Sequence, residues 1–143
     1  MLISTRGRYA LRFLVDLAEH QGDTYIPMRD ISHRQEISPK YAERLMSVLS
    51  KNHFVKAQHG KGGGYRLSRA PADYKVGEVL RVMEEELAPV ACLTCKPEGC
   101  RRAPDCRTLP MWRKLDGMIS DFFDGITLAD LMYGNAASMF ETK

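Results

Sequence analysis

Between residues 8 and 18 the apolar positions Ala10, Leu11, Leu14, Leu17 and Ala18 recur at the spacing that lines up side chains on one stripe of an α-helix, with Thr5 ahead of them as a cap. After the turn-like QGD at 21–23, Ile26, Met28 and Ile31 point to the same side of a shorter element. The segment SPKYAERLMSVLSKN then opens with Ser38 as cap and Pro39 at the first helical position, so two helices joined by a tight connection are expected. In the second, Ala42, Leu45, Met46 and Leu49 form an inward stripe, while Lys40, Arg44, Ser47 and Lys51 fall on another face. FVKAQ at 54–58 and YRLS at 65–68 alternate as short strands, and HGKGGG at 59–64 supplies the glycines of a hairpin tip. That glycine run is not a nucleotide-binding loop, which needs a helix after it where this chain has a strand.

Beyond the loop-like SRAPADY, the pattern predicts a helix over 76–87 with Val76, Val79, Leu80 and Met83 on one face. A longer one follows RTLP, with Pro110 in its first turn and an apolar band made by Met111, Trp112, Leu115, Met118, Ile119, Phe122 and Phe123. The band is wider than a lone surface helix requires. It suits burial against a second copy of the chain, the alternative being packing onto the chain's own helices. Thr127 and Asp130 form a capping box for a last short helix, TLADLM.

Composition narrows the class. At 143 residues, 44% hydrophobic and 27% charged, the chain has room for one well-buried core or one small domain with an appendage. No apolar run approaches a membrane span, and Arg8, Arg12 and Asp16 interrupt the N-terminal apolar positions, so a cytoplasmic protein is expected. Residues 1–75 carry 13 Lys and Arg against 7 Asp and Glu, whereas 76–143 carry 8 against 11. The cationic half is therefore the one to test for nucleic acid.

Helix, turn, helix and hairpin in that order make a winged helix. A helix that packs through one side and presents Lys40 and Arg44 on the other has the form needed to enter a DNA major groove, although a solvated surface helix carries the same residues. The hairpin tip, with His59 and Lys61, is thin enough to reach a minor groove or a phosphate line.

All four cysteines lie in CLTCKPEGCRRAPDC, residues 92–106. Structural disulfides do not suit a cytoplasmic chain. Several thiolates on one loop suit an iron–sulfur cluster, with Lys96, Arg101, Arg102 and Arg107 moderating its negative charge. Zinc is the rival, though only Cys92 and Cys95 form a CxxC knuckle, and that pair also suits thiol redox chemistry, without the surrounding βαβ pattern of a thioredoxin-like enzyme.

STRGRYALRFLVDLA, ISPKYAERLMSVLSKNHFV, GKGGGYRLSRAPADYKVGEVL and the cysteine loop followed by MWRKL resemble the bacterial winged-helix regulator family that includes IscR, NsrR, RirA and the cluster-free CymR. The likeness runs from about residue 1 to residue 133. It implies a homodimeric transcription factor whose [2Fe-2S] or [4Fe-4S] cluster is held by three loop cysteines, here Cys92, Cys100 and Cys106, and a repressor is the regulator expected here. The seven residues between Cys92 and Cys100 are closer to the RirA arrangement than to IscR. The fourth ligand departs from the family. Leu109 stands where IscR-like members have histidine, Arg8 where NsrR-like members have aspartate, and His20, His33, His53 and His59 all lie in the first half. Cys95 is the first candidate, with Glu98, Asp105 or a solvent-open iron behind it.

The fold expected is mainly α with a small β-hairpin. A winged helix-turn-helix region spans 1–75, a linking helix and cysteine-rich loop 76–107, and a dimerisation helix with a C-terminal tail 108–143. The DNA-facing candidates are Ser38, Lys40, Tyr41 and Arg44 on the recognition helix, His59 and Lys61 on the wing, and Arg6 and Arg8 as phosphate contacts. The partners expected are double-stranded DNA with a palindromic operator and a second copy of the chain, and no membrane.

Overall fold

The computed structural model describes residues 2–94 and 99–134. Among these, six α-helices and one two-stranded antiparallel sheet follow in the order α1 (Thr5–His20), α2 (Met28–Gln35), α3 (Pro39–Lys51), β1 (Val55–Gln58), β2 (Gly64–Leu67), α4 (Val76–Met83), α5 (Leu109–Asp124) and α6 (Leu128–Met132). This is the expected mainly helical winged helix. The stripes read from the sequence turn inward: Ala10, Leu14 and Leu17 of α1, Ile31 of α2, and Ala42, Leu45, Met46 and Leu49 of α3 are buried together with Phe13, Phe54, Val79, Met83 and Leu128. A smaller apolar group, Val76, Leu80 and Ile126, seats α4 beside the entry to α6.

Ser38 caps α3 by accepting the Tyr41 N–H, with Pro39 at its start, and Thr127 and Asp130 make the capping box of α6. The cap of α1 is Ser4 and not Thr5: Ser4 Oγ accepts the Gly7 N–H at 3.3 Å, and Thr5 is already helical. The helix expected over 76–87 ends at Met83, with Glu84 extended. Three successive carboxylates, Glu84 to Glu86, would meet the negative end of that helix had it continued. Ile26 also departs from the expected helical pattern. It pairs with Tyr65 across two backbone hydrogen bonds of 2.9 and 2.8 Å, adding a rung to the hairpin just before α2 begins.

That rung explains one wing glycine. Gly64 sits at φ +146°, and a Cβ there would collide with the Ile26 carbonyl, so a side chain would push the wing away from α2. The base of the wing is fixed by Tyr74, which is buried. Its hydroxyl accepts the N–H groups of Ser68 at 3.0 Å and Arg69 at 3.2 Å and donates to the Phe54 carbonyl. The Arg69 guanidinium lies over the Tyr74 ring at 4.5 Å and pairs with Glu78 of α4. Tyr74→Phe takes this acceptor from the Arg69 N–H and one of two donors from the Phe54 carbonyl, which keeps the Ser68 N–H at 3.3 Å, and is expected to lower the unfolding free energy by about 1–2 kcal/mol, read by urea titration.

Candidate functional site

The candidate recognition surface is built on α3. Its buried stripe fixes the roll of the helix, which leaves Ser38, Lys40 and Arg44 exposed, with Ser47 and Lys51 farther along the same side. Tyr41 is half-buried: its ring meets Tyr9 of α1 edge-on at 5.9 Å, and Arg12 lies over the other ring at 5.2 Å. It serves both as packing against α1 and as part of the exposed edge. Arg6 of α1 and Arg44 of α3 line one shallow hollow floored by Leu45 and Met83, so two guanidinium groups from different helices stand on one face. Arg8 is exposed one turn into α1, with Nη2 donating to Thr5 Oγ1 at 3.4 Å.

His59 and Lys61 are exposed at the wing tip, where Gly60 and Gly62 take positive φ of +88° and +77° that other residues adopt only with strain. They line a groove that also includes Met28 and Arg29 at the start of α2. Arg29 is a cation that sequence reasoning did not select. Nothing in its local pattern sets it apart; it joins the wing only because the Ile26–Tyr65 rung lays β2 along the first turn of α2.

The cysteine loop has a different character. No side chain in 91–94 or 99–108 is buried, and Cys92, Cys100 and Cys106 are all free thiols. Cys92 and Cys100 line one hollow with Ala91, Thr94 and Gly99. Cys106 lines another, with Arg101, Arg102, Asp105, Arg107 and Thr108. Cys106 lies just before α5. The Thr108 hydroxyl, 3.3 Å from its sulfur, and the N–H groups of Thr108 and Leu109 hold its thiol below the usual range, with the Arg102 charge adding to the effect.

The structure thus sets Cys92 and Cys100 on one hollow and leaves Cys106 on a separate one. Among the described residues no three Cys, His, Asp or Glu side chains are gathered to hold a metal ion. Cys95 and Glu98 lie outside the described residues, and Asp105 is exposed beside Cys106. By donor chemistry the set fits an iron–sulfur group: free thiols on one loop none of whose described residues is buried, one of them drawn toward thiolate, with arginines beside it.

On the outer side of α5, Met111, Leu115, Met118 and Phe122 are 54%, 37%, 56% and 46% exposed at i, i+4, i+7 and i+11, a continuous apolar stripe. The inner side is tied to α4 by Arg81, which donates to both oxygens of Asp124 at 2.8 and 2.9 Å. Among the described residues no helix is long and apolar enough to cross a membrane.

Comparison with known proteins places these features in context. The profile of the Rrf2 family, described as an iron-dependent transcriptional regulator, matches residues 3–134. The HTH-type transcriptional regulator IscR of Aliivibrio salmonicida is 40% identical over 135 residues, covering 94% of this chain and 79% of the relative. The IscR of Erwinia tasmaniensis is 40% identical over 132 residues, covering 92% and 79%. Among solved structures, CymR, the global cysteine regulator of B. subtilis, superimposes with a TM-score of 0.76 at 29% identity, covering 93% of this chain and 97% of its own. IscR of T. potens superimposes with a TM-score of 0.74 at 32% identity, covering 100% and 94%.

Proposed function

The chain belongs to the Rrf2 family of iron-dependent transcriptional regulators, and from that premise we propose that it represses transcription as a cytoplasmic homodimer whose cysteine loop carries an iron–sulfur cluster. It is a DNA-binding regulator. The alternative of a thiol redox enzyme is set aside, since the curated relatives are transcriptional regulators. The observation that carries the cluster reading is the loop itself, three free thiols on a segment none of whose described residues is buried, Cys106 lying against Thr108 at the start of α5.

Cys92, Cys100 and Cys106 would hold the cluster, of [2Fe-2S] or [4Fe-4S] type, with Cys95 as the proposed fourth ligand. When bound, such a group supplies a link between thiolates that iron supply and oxidants make or break. The protein's part is mechanical. The loop joins α4 to α5, so its conformation bears on the angle between the core and the apolar stripe through which two copies pair. Two recognition helices about one DNA turn apart, ~34 Å, then meet or miss a palindromic operator.

On DNA, Arg44 reads a guanine edge and Ser38, Lys40 and Tyr41 flank it. His59 and Lys61 of the wing track the backbone beside Arg29, while Arg6 and Arg8 add phosphate contacts. Arg44→Ala is expected to cost about 1–3 kcal/mol and to relax sequence preference, whereas Lys40→Ala weakens all duplexes alike and lowers the salt slope by about 1. Fluorescence anisotropy across a salt series separates the two. The reading as a whole is tested by anaerobic purification, iron and acid-labile sulfide assays, and operator binding with and without the cluster. A colourless protein with stoichiometric zinc, or equal affinity of the two forms, overturns it.

A further inference from the structure

Glu84 ends α4, is hydrogen-bonded to the start of α1, and lines a depression together with the entry to the cysteine loop. Its N–H closes the last turn of α4 on the Leu80 carbonyl at 2.8 Å, after which the backbone runs extended. Its carboxylate crosses to α1, where Oε1 accepts the Ser4 N–H at 2.9 Å and the Ser4 hydroxyl at 2.8 Å. Ser4 Oγ in turn accepts the Gly7 N–H. A carboxylate at this end of a helix is favoured by the partial positive charge of the free N–H groups. Glu84 therefore holds the first turn of α1.

Gly7 is the counterpart of this contact. A Cβ there would collide with Glu84 Oε1 and lie 3.1 Å from Leu80 Cδ2, so the glycine leaves the space that the carboxylate fills. On its other side Glu84 shares a depression with Leu87, with Leu93 and Thr94 next to Cys92, and with Asp116 and Ser120 of α5. From the turn that Ser4 caps, Arg6 extends to the hollow it shares with Arg44. Glu84 thus lies between the depression lined by the start of the cysteine loop and the turn of α1 that carries Arg6.

Resting on the cluster-switch reading above, we propose that Glu84 is the positioning residue through which the state of the cysteine loop reaches the DNA-facing side chains. With Glu84 seated on Ser4, the first turn of α1 is fixed and Arg6 stands in register with Arg44. A loop conformation that draws Glu84 away removes the acceptor from two donors at once. The first turn of α1 then loosens, and Arg6 leaves the face of α3.

The test measures the ratio of affinities of cluster-loaded and cluster-free protein for a duplex enriched from a random pool by the wild-type protein in both states. The wild-type forms are expected to differ by about 5–150-fold, the usual range of coupling between two sites. Glu84→Ala is expected to bring that ratio to within about twofold of one, with visible absorption of the cluster unchanged. Glu84→Gln keeps an oxygen acceptor for Ser4 and restores most of the ratio, a rescue that general loss of stability would not give. Ser4→Pro removes both donors while leaving Glu84 in place, and Ser4 already sits at φ −70°, where proline fits, so this variant reports if Glu84→Ala does not fold. A wild-type ratio of one removes the switch and the inference with it. A wild-type ratio that persists in Ser4→Pro or Glu84→Ala overturns the role of Glu84 alone.

Discussion

Replacing Cys92, Cys100 and Cys106 together by alanine is expected to abolish iron and sulfide content and to make operator affinity the same in aerobic and anaerobic preparations. The protein should otherwise be intact. None of the three side chains is in the core, and no residue of the described loop is buried. Exposed substitutions of this kind change stability by no more than about 0.5 kcal/mol each. Loss of response without loss of fold is therefore the signature, checked by metal analysis, unfolding midpoint and operator binding on one preparation. The single variants should differ among themselves. Cys106 stands apart from the hollow that Cys92 and Cys100 share and has the start of α5 behind it, so Cys106→Ala removes the donor on the α5 side and should prevent assembly while leaving the Cys92–Cys100 hollow as it is. Cys106→Ser keeps a small polar group in contact with Thr108 but offers a poor ligand, and it should behave as Cys106→Ala does. Colour and promoter response surviving in the triple variant would end the cluster reading while leaving the DNA-binding surface as it stands.

How much of this was legible before the structure depends on the kind of information each residue carries. The stripes of α1, α3 and α4 were readable because burial of a helix face is a local property written at a fixed period, and Ser38, Pro39, Thr127 and Asp130 act within one turn. The cationic face of α3 followed by subtraction. The cysteine spacing declared a donor set without declaring which thiols meet, and the structure groups Cys92 with Cys100 apart from Cys106. What periodicity could not supply were contacts between residues far apart in sequence. Ile26 fits a helical pattern as well as it fits a β-rung, and its partner Tyr65 decides between them. Glu84 reads as the first of three surface carboxylates until Ser4 and Gly7 are laid against it. Thr5 and Ser4 are both good caps, and the choice between them is made by the same distant carboxylate.

Long-range polar contacts of this kind share a position: each lies where two elements are fixed relative to one another. Glu84 sets α1 against α4, Arg81 and Asp124 set α4 against α5, and Arg69 with Glu78 sets the wing against α4. Apolar packing is tolerant of small rotations, since one methylene contact replaces another. Hydrogen-bonded ion pairs are directional and hold one arrangement. A DNA-binding regulator built from several short elements needs that restriction at its joints more than it needs additional apolar burial.

The joint between α1 and α2 carries the largest expected loss of stability. Asp16 is 1% exposed in the core side of α1, and Arg34 of α2 donates to it through Nε at 3.0 Å and Nη2 at 2.6 Å, while Gln35 Nε2 adds a bond of 2.9 Å. The hydrogen bonds from the guanidinium to Asp16 raise the Arg34 pKa above its usual value. Arg34→Ala takes away the paired guanidinium and leaves the buried carboxylate with Gln35 and, at 3.8 Å, His20 Nδ1. Breaking such a pair from one side costs about 3–5 kcal/mol, and the lower end, about 3 kcal/mol, applies here because the Arg34 side chain is itself 31% exposed and water can follow it in. The unfolding midpoint should fall by about 10 °C. Replacing both partners by leucine should recover part of that loss, because no orphaned charge remains, yet operator affinity should not recover with it. The apolar pair restores burial without restoring the angle between α1 and α2, on which the placement of α3 depends. A double variant that regained stability and full DNA affinity together would show that packing alone sets the recognition helix, and that the ion pair fixes nothing.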